Sequence, residues 1–445
     1  MNELQSMQRR HFVKTTAGGL ALGMFGMAGP AKARPLGAND RIHTGHIGVG
    51  GQGSGLLRNI LKRAESEGDV QVVAVCDVYN KRKKRAQEAA GLDSSGVYHD
   101  YHELLERSDI DAVFIATPDH WHAPIAIAAM EKGKDIYLEK PMTRTVEEAK
   151  AVYEASVKTG RIHQGGATGA SRPWCWGARE AIQEGLIGKV IWSQTSYCRN
   201  NSEGEWNWSI DKDASPEASG DDYVDWKLWL GTAPERPWDP DRFFRFRKFW
   251  DYSGGIATDL MYHRLTPLHI AFGEGFPKRV VGTGGVWYSK EIIDPTTGKT
   301  DVREVPDTFM LCADYWERHS VNIPSSLVND TGVPTMIRGN KADLMESERK
   351  LRVVAQSEYR DAFRKEHGSD ELLLDVPSRE NHMSNFLNCM RTREQPALNA
   401  LVAYQVMCTI GMSVESYKSG RHLYFDRDKQ EVTTQPFEDM VDIVS

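Results

Sequence analysis

The chain has 445 residues, of which 40% are hydrophobic and 26% charged, and its formal net charge is −7. This is the composition of a soluble globular protein; it excludes fibrous and disordered classes, and the length allows two or three domains with cores of their own. The acidic balance argues against nucleic acid or an anionic membrane surface as the main partner.

The first element reads as an address. Arg9 and Arg10 in QRRHFVK precede TTAGGLALGMFGMAGPAKA, an apolar run broken by glycines and ending in Ala31-Lys32-Ala33. A charged start, a short apolar core and an A-x-A cut site are the parts of a signal peptide. The run is too short and glycine-rich to span a bilayer as a stable helix, and paired arginines specify the twin-arginine route. An RR pair also occurs at the amphipathic start of cytosolic chains, but Phe12, Lys14 and the A-x-A site favour export. Residues 1–33 are therefore expected to be a twin-arginine signal. The mature chain then begins at Arg34, is periplasmic or extracellular, and has no membrane span.

Next, RIHTGHIGVGGQGSGLLRNILKRAESEGDVQVVAVCDVYNKRKKRAQEAAG fits one βαβ unit. A short apolar strand meets Gly48-x-Gly50-x-x-Gly53, a helical pattern runs through Leu56, Leu57, Ile60 and Leu61, and VQVVAVCD is a second strand. The glycines serve a tight turn, backbone approach to a pyrophosphate, and close helix–strand packing; Gly51 and Gln52 share the turn. Asp77 closes the second strand 24 residues after Gly53, where a carboxylate holds ribose hydroxyls. That acid favours NAD by repelling a 2′-phosphate, while the basic run Lys81-Arg82-Lys83-Lys84 leaves NADP open. The six cysteines form no CxxC pair and no metal-ligand spacing, so thiols are expected.

The alternation continues. AVFIATP is a buried strand, HAPIAIAAMEKG a helix, DIYLEKP a strand, and TVEEAKAVYEASVKTG a helix started by Thr145. Strands alternating with helices predict a parallel, doubly wound sheet. Thr117, Pro118, His120 and His122 in ATPDHWH follow a strand's carboxyl end, where open sheets bind ligands. The two histidines are expected to line the nicotinamide site with Trp121 as packing; H-x-H with no third ligand leaves no metal expected.

Three motifs, ATPDHWH, Glu139-Lys140-Pro141 and GGIATDLMYH, resemble in order those of the glucose–fructose oxidoreductase, inositol dehydrogenase and MocA-like family. The resemblance covers nearly the whole mature chain. It implies a nucleotide domain over 34–165 and a substrate-binding and oligomerisation domain over 166–445. The second domain would be α+β with a large, mostly antiparallel open sheet, assembling as a dimer or tetramer. It also implies that Glu139 and Lys140 lie beside the nicotinamide, with Pro141 turning the lysine into the cleft. Lys140 would bind the substrate oxygen and polarise a developing alkoxide, His263 would take the hydroxyl proton, and Asp259 would bind a substrate hydroxyl or support the site. Asp259 and His263 are four apart and share a helix face. Met261 stands where the family usually has glycine, so the flanking Tyr262 and Arg264 are expected to reshape the substrate pocket.

In the second half, KVIWSQTSYCRN, KRVVGTGGVWYS, DTFMLCADYW and SVNIPSSLV read as strands of one sheet. Nine of the twelve tryptophans fall between Trp174 and Trp250, along with the basic-aromatic run DRFFRFRKFW. Indole faces stack on sugar CH groups, although most of these rings are expected simply to pack loops onto the sheet. The stretch from His382 to Gly420 reads as helical and packs back on the core.

The resemblance implies an NAD(P)-dependent oxidoreductase acting on a hydroxyl of a sugar or sugar derivative. Free NAD is not expected outside the cytoplasm, so an exported enzyme should keep its cofactor and restore it within each cycle. Coupled oxidation and reduction of two sugars satisfies this. So does an NAD-dependent glycosidase working by oxidation, elimination, hydration and reduction; YHRLTPL is loosely similar to the histidine region of such enzymes. A non-catalytic sugar-binding protein on the same fold is the third reading.

Overall fold

The computed structural model describes residues 41–273, 275–347 and 350–437. The expected export signal at 1–33 lies outside the described residues. Two sheets organise the chain.

The first has six strands: β1 (Ile42–Ile47), β2 (Val70–Cys76), β3 (Val97–Tyr98), β4 (Ala112–Ile115), β5 (Asp135–Leu138) and β6 (His163–Gly165). All pairs are parallel and the order is β3-β2-β1-β4-β5-β6. Every residue of β4 and β5 is buried, as a sheet covered by helices on both faces requires. Helices α1 (Gly51–Glu67) and α2 (Asn80–Ala90) flank the β1–β2 edge. Thr145 caps the helix Val146–Thr159 in a reciprocal box with Glu148. The strand order reverses between β1 and β4, which opens a crevice at the strands' carboxyl ends.

The second sheet has ten strands. They are β7 (Val190–Gln194), β9 (Pro277–Gly285), β10 (Thr308–Tyr315), β11 (Ser320–Ser326), β13 (Met336–Gly339), β14 (Ala342–Ser347), β15 (Lys350–Ala355), β16 (Glu371–Asp375), β17 (Leu423–Asp426) and β18 (Glu431–Thr433). The order is β16-β15-β14-β13-β7-β11-β10-β9-β17-β18, antiparallel except for β7 with β11. The short strands β8 (Arg199–Asn200) and β12 (Val328–Asn329) pair separately. Buried residues alternate with less buried ones along β10, so one face packs inward and the other is open. The stretch 382–420 is two helices, His382–Thr392 and Ala400–Ser419. Arg393, left-handed at φ 62°, ends the first, and the Asn399 side chain caps the second. Among the described residues no helix is long and apolar enough to cross a membrane.

Candidate active site

A cavity of about 600 Å3 runs from the glycine turn to the helix carrying His263. At its nucleotide end Gly48 adopts φ 78°, and a Cβ on Gly53 would lie 1.8 Å from the Gly48 carbonyl oxygen. Gly48 supplies the turn, and Gly53 lets α1 approach β1; Gly53 itself is behind the wall that Gly48, Gly50, Gly51 and Gln52 form. The first turn of α1 carries no acidic residue and no side-chain cap, which leaves its N-terminus to an anionic group. Asp77, just after β2, accepts hydrogen bonds from the Val49 and Tyr79 amides, each at 2.9 Å, and is thereby fixed on the cavity wall. Thr117 and Pro118 also line the cavity, and the buried Thr117 hydroxyl has no protein partner. Turn, helix end and carboxylate fit a dinucleotide.

At the other end the chain after β5 brings Lys140 to Asp259, with a cis peptide between Lys140 and Pro141. The Lys140 ammonium donates to Asp259 Oδ1, and to the Asp259 carbonyl at 3.3 Å. Arg247 Nε donates to the same Oδ1 at 2.7 Å. Burial alone would raise the pKa of Asp259, but Arg247 and Lys140 outweigh it and hold the carboxyl well below the usual range. Burial, reinforced by Lys140, lowers the His263 pKa to about 3, with Asp259 pulling the other way. The result is a neutral imidazole beside a fixed carboxylate and two cations. Glu139, buried below the lysine, accepts from Gln52 Nε2 at 2.7 Å and from the Lys140 amide at 3.1 Å; burial raises its pKa.

Asp259 sits in a π-helical turn, Ala257–Met261, and His263 in the helix Tyr262–Phe272 that follows. Such widened turns recur at functional sites. Pro267 has no amide hydrogen to give to the His263 carbonyl one turn back, which loosens the helix at the histidine.

Four expected site residues are corrected. His120 and His122 do not reach the cavity, whereas Trp121 does. His120 Nε2 meets the Trp229 carbonyl at 3.0 Å within an aromatic cluster. His122 is held between the Pro141 and Thr117 carbonyls, at 2.7 and 2.9 Å. Tyr262 is fully buried, its hydroxyl 3.4 Å from the Ala403 carbonyl. Arg264 lies over the Tyr197 ring instead of on the wall. The last two flank His263, and neighbours in a helix project about 100° apart, so adjacency placed them on the wrong faces.

The sequence reading also leaves Arg247, Arg199, Trp206 and Trp208 undistinguished, yet all four line the cavity. Arg247 lies over the Trp208 and Phe246 rings. Arg199 bonds Glu205 Oε1 at 2.5 Å and the Tyr197 hydroxyl at 3.0 Å. Trp206 is buried in a left-handed conformation, φ 71°, at a position where such strain persists only under strong surrounding constraint. The signals for this wall in the sequence are the tryptophan-rich stretch from Trp174 to Trp250 and the basic-aromatic run DRFFRFRKFW.

Residues 42–166 match an oxidoreductase family, NAD-binding Rossmann fold, and residues 177–280 and 359–442 match the family's C-terminal alpha/beta domain. The chain belongs to the glucose–fructose oxidoreductase, inositol dehydrogenase and MocA family. Its cofactor is NAD. A glycosyl hydrolase family 109 protein of Saccharopolyspora erythraea is 33% identical over 175 residues, 34% of this chain and 37% of that protein. Inositol 2-dehydrogenase of Salmonella typhimurium is 33% identical over 120 residues, covering 27% of this chain and 34% of the enzyme. The chain thus spans about a third of the length of these relatives. Levoglucosan dehydrogenase in complex with NADH shares the fold, with a TM-score of 0.64 and 19% identity over 86% of this chain and 98% of that one.

Proposed function

We propose that this protein oxidises a hydroxyl of a sugar or sugar derivative and keeps its NAD throughout the cycle. The observation that carries the reading is Lys140, Asp259 and His263 meeting at one end of a cavity whose other end is built for a nucleotide. Neutral His263 takes the hydroxyl proton on a ring nitrogen, and Asp259 steadies the imidazolium that results. Lys140 Nζ stabilises the oxygen as negative charge develops, while Asp259 orients the ammonium. Bound NAD supplies the hydride acceptor. Trp208 and Phe246, with Arg247 across their rings, offer apolar surface to sugar CH groups.

The chain is proposed to leave the cytoplasm by the twin-arginine route and to work as a homo-oligomer. Export motivates cofactor retention, because NAD lost outside the cytoplasm is not replaced. The stretch aligned with a glycosyl hydrolase family 109 protein favours a second reading, oxidation-assisted glycosidase, on the same three residues.

One experiment separates these readings: single-turnover absorbance at the reduced-nicotinamide band with a panel of sugars and aryl glycosides. Stable reduction that awaits a carbonyl substrate indicates the oxidoreductase. Transient reduction with release of the aglycone indicates the glycosidase. No reduction with any compound in the panel contradicts both.

A further inference from the structure

The basic run after Asp77 is not free. Lys81 Nζ donates to Asp211 at 2.7 Å and to Asp222 at 3.2 Å, and Lys84 Nζ donates to Asp221 at 2.6 Å. Lys83 Nζ donates to His99 Nδ1 at 2.9 Å, and His99 Nε2 in turn meets Asp225 Oδ2 at 3.0 Å. All four aspartates belong to one segment of the second half. The backbone joins the same contact: the Asn80 amide donates to the Tyr223 carbonyl at 3.1 Å and the Asp225 amide to the Val78 carbonyl at 3.0 Å. Arg82, the fourth member of the run, lies over the Phe243 and Phe244 rings, 4.9 and 5.6 Å from their centroids.

That segment also forms part of the cavity. Leu228, Trp229, Phe243 and Phe244 line it together with Asp77, Val78 and Arg82. A nucleotide domain alone leaves this end open to solvent; here it meets an apolar wall from elsewhere in the chain. The wall is fastened from outside by ion pairs that are half exposed, since Lys81 and Lys84 are 50% and 55% accessible.

We propose that residues 211–246 are a clamp that completes the adenosine end of the cofactor site and sets the rate at which NAD leaves. The ribose-holding Asp77 and the aromatic wall enclose the nucleotide, and release requires the acidic segment to lift from α2. Lys81, Lys83 and Lys84 dock this segment and are thereby not free to serve as phosphate ligands, whereas Arg82 stays on the cavity wall. The proposal rests on the nucleotide reading of the cavity.

Exposed ion pairs are individually weak and screened by salt, so the fastening should respond to both charge removal and ionic strength. The test is the exchange of bound NAD for isotopically labelled NAD in the purified holoprotein. Wild type should release NAD faster as ionic strength rises. Lys81→Ala/Lys84→Ala and Asp211→Asn/Asp221→Asn/Asp222→Asn should each accelerate release about tenfold at low salt and flatten the salt dependence. The two variants approach the contact from opposite sides, and the wild-type salt series needs no variant at all. Unchanged release in both variants, or a salt-independent wild type, overturns the clamp. Protein that takes up no NAD overturns the nucleotide reading instead.

Discussion

The nucleotide sheet and the wall of the substrate cavity are held together in opposite ways. In the sheet, Ala74, Val75, Ala112, Val113, Ile136 and Leu138 are wholly buried, and apolar packing does the work. In the wall, the loops carrying Trp206, Trp208 and Arg247 converge on a buried knot of charges. Arg245 bonds Asp294 at 2.5 Å and the Trp208 carbonyl at 2.6 Å. Lys248 bonds Asn207 Oδ1 at 3.0 Å and Asp301 at 3.1 Å, and Arg303 bonds Asp301 at 2.7 Å and the Glu205 carbonyl at 2.8 Å. Arg245, Arg303 and Asp301 have fully buried side chains. Here a buried aromatic cluster of Trp229, Phe243, Phe249 and Tyr252 is supplemented by directional, charge-assisted bonds, which position the loops more narrowly than packing alone does.

The largest expected effect is on the chemistry that the wall encloses. His263→Ala should retain NAD yet lose on the order of 10²–10⁴ in turnover, and Lys140→Ala should be severely impaired as well. Single-turnover reduction of bound cofactor checks both, and normal reduction in either variant removes that residue from the mechanism.

Next comes the knot itself. Asp301→Ala leaves Lys248 and Arg303 buried with a shared anion missing, which should lower stability by about 3–5 kcal/mol. Denaturant titration measures it. A loss below 1 kcal/mol would mean that the wall is held by packing after all, and the contrast between the two regions would fail.

Acid should not distinguish the regions, because both contain buried neutral histidines. Burial lowers His46 to about 3 and His163 to about 4 in the nucleotide half, and His269 and His319 to about 4 in the second. Each stays neutral in the native state but gains a proton on unfolding below about pH 6.5, so stability is full above that pH and declines between pH 6.5 and 4. The slope is about 1.4 kcal/mol per pH unit for each such histidine. Proton uptake on unfolding at pH 5 checks the sign; proton release would contradict it.

The smallest effect tests an ordinary local signal. Thr145→Ala removes the capping box of Val146–Thr159 and should cost about 1 kcal/mol, with no change in catalysis.

This contrast also explains what was legible in the sequence. Strand periodicity, the spaced glycines, Asp77 and the cap at Thr145 are local patterns, and each reports a backbone demand made within a few residues. The strands from Met336 to Asp375 alternate in burial, but apolar Met336, Met345, Val354 and Leu373 on the more open face blur that alternation in the sequence. Arg247 could not be singled out, because its significance lies in meeting Asp259 across the fold rather than in its neighbours. Tyr262 and Arg264 were misplaced by adjacency to a true wall residue, and His122 by its motif, although its ring secures the backbone at Pro141. In the sequence the Lys81–Lys84 run leaves NADP open; only the fold pairs Lys81 and Lys84 with aspartates more than a hundred residues away.

In the proposed function one cavity holds NAD at one end and the catalytic residues at the other, and the cofactor stays there. Denaturing the purified protein and quantifying the released nucleotide tests this most directly. Near-stoichiometric NAD(H), with little NADP(H), is the predicted result. Protein that emerges empty and binds added NAD only weakly would contradict it.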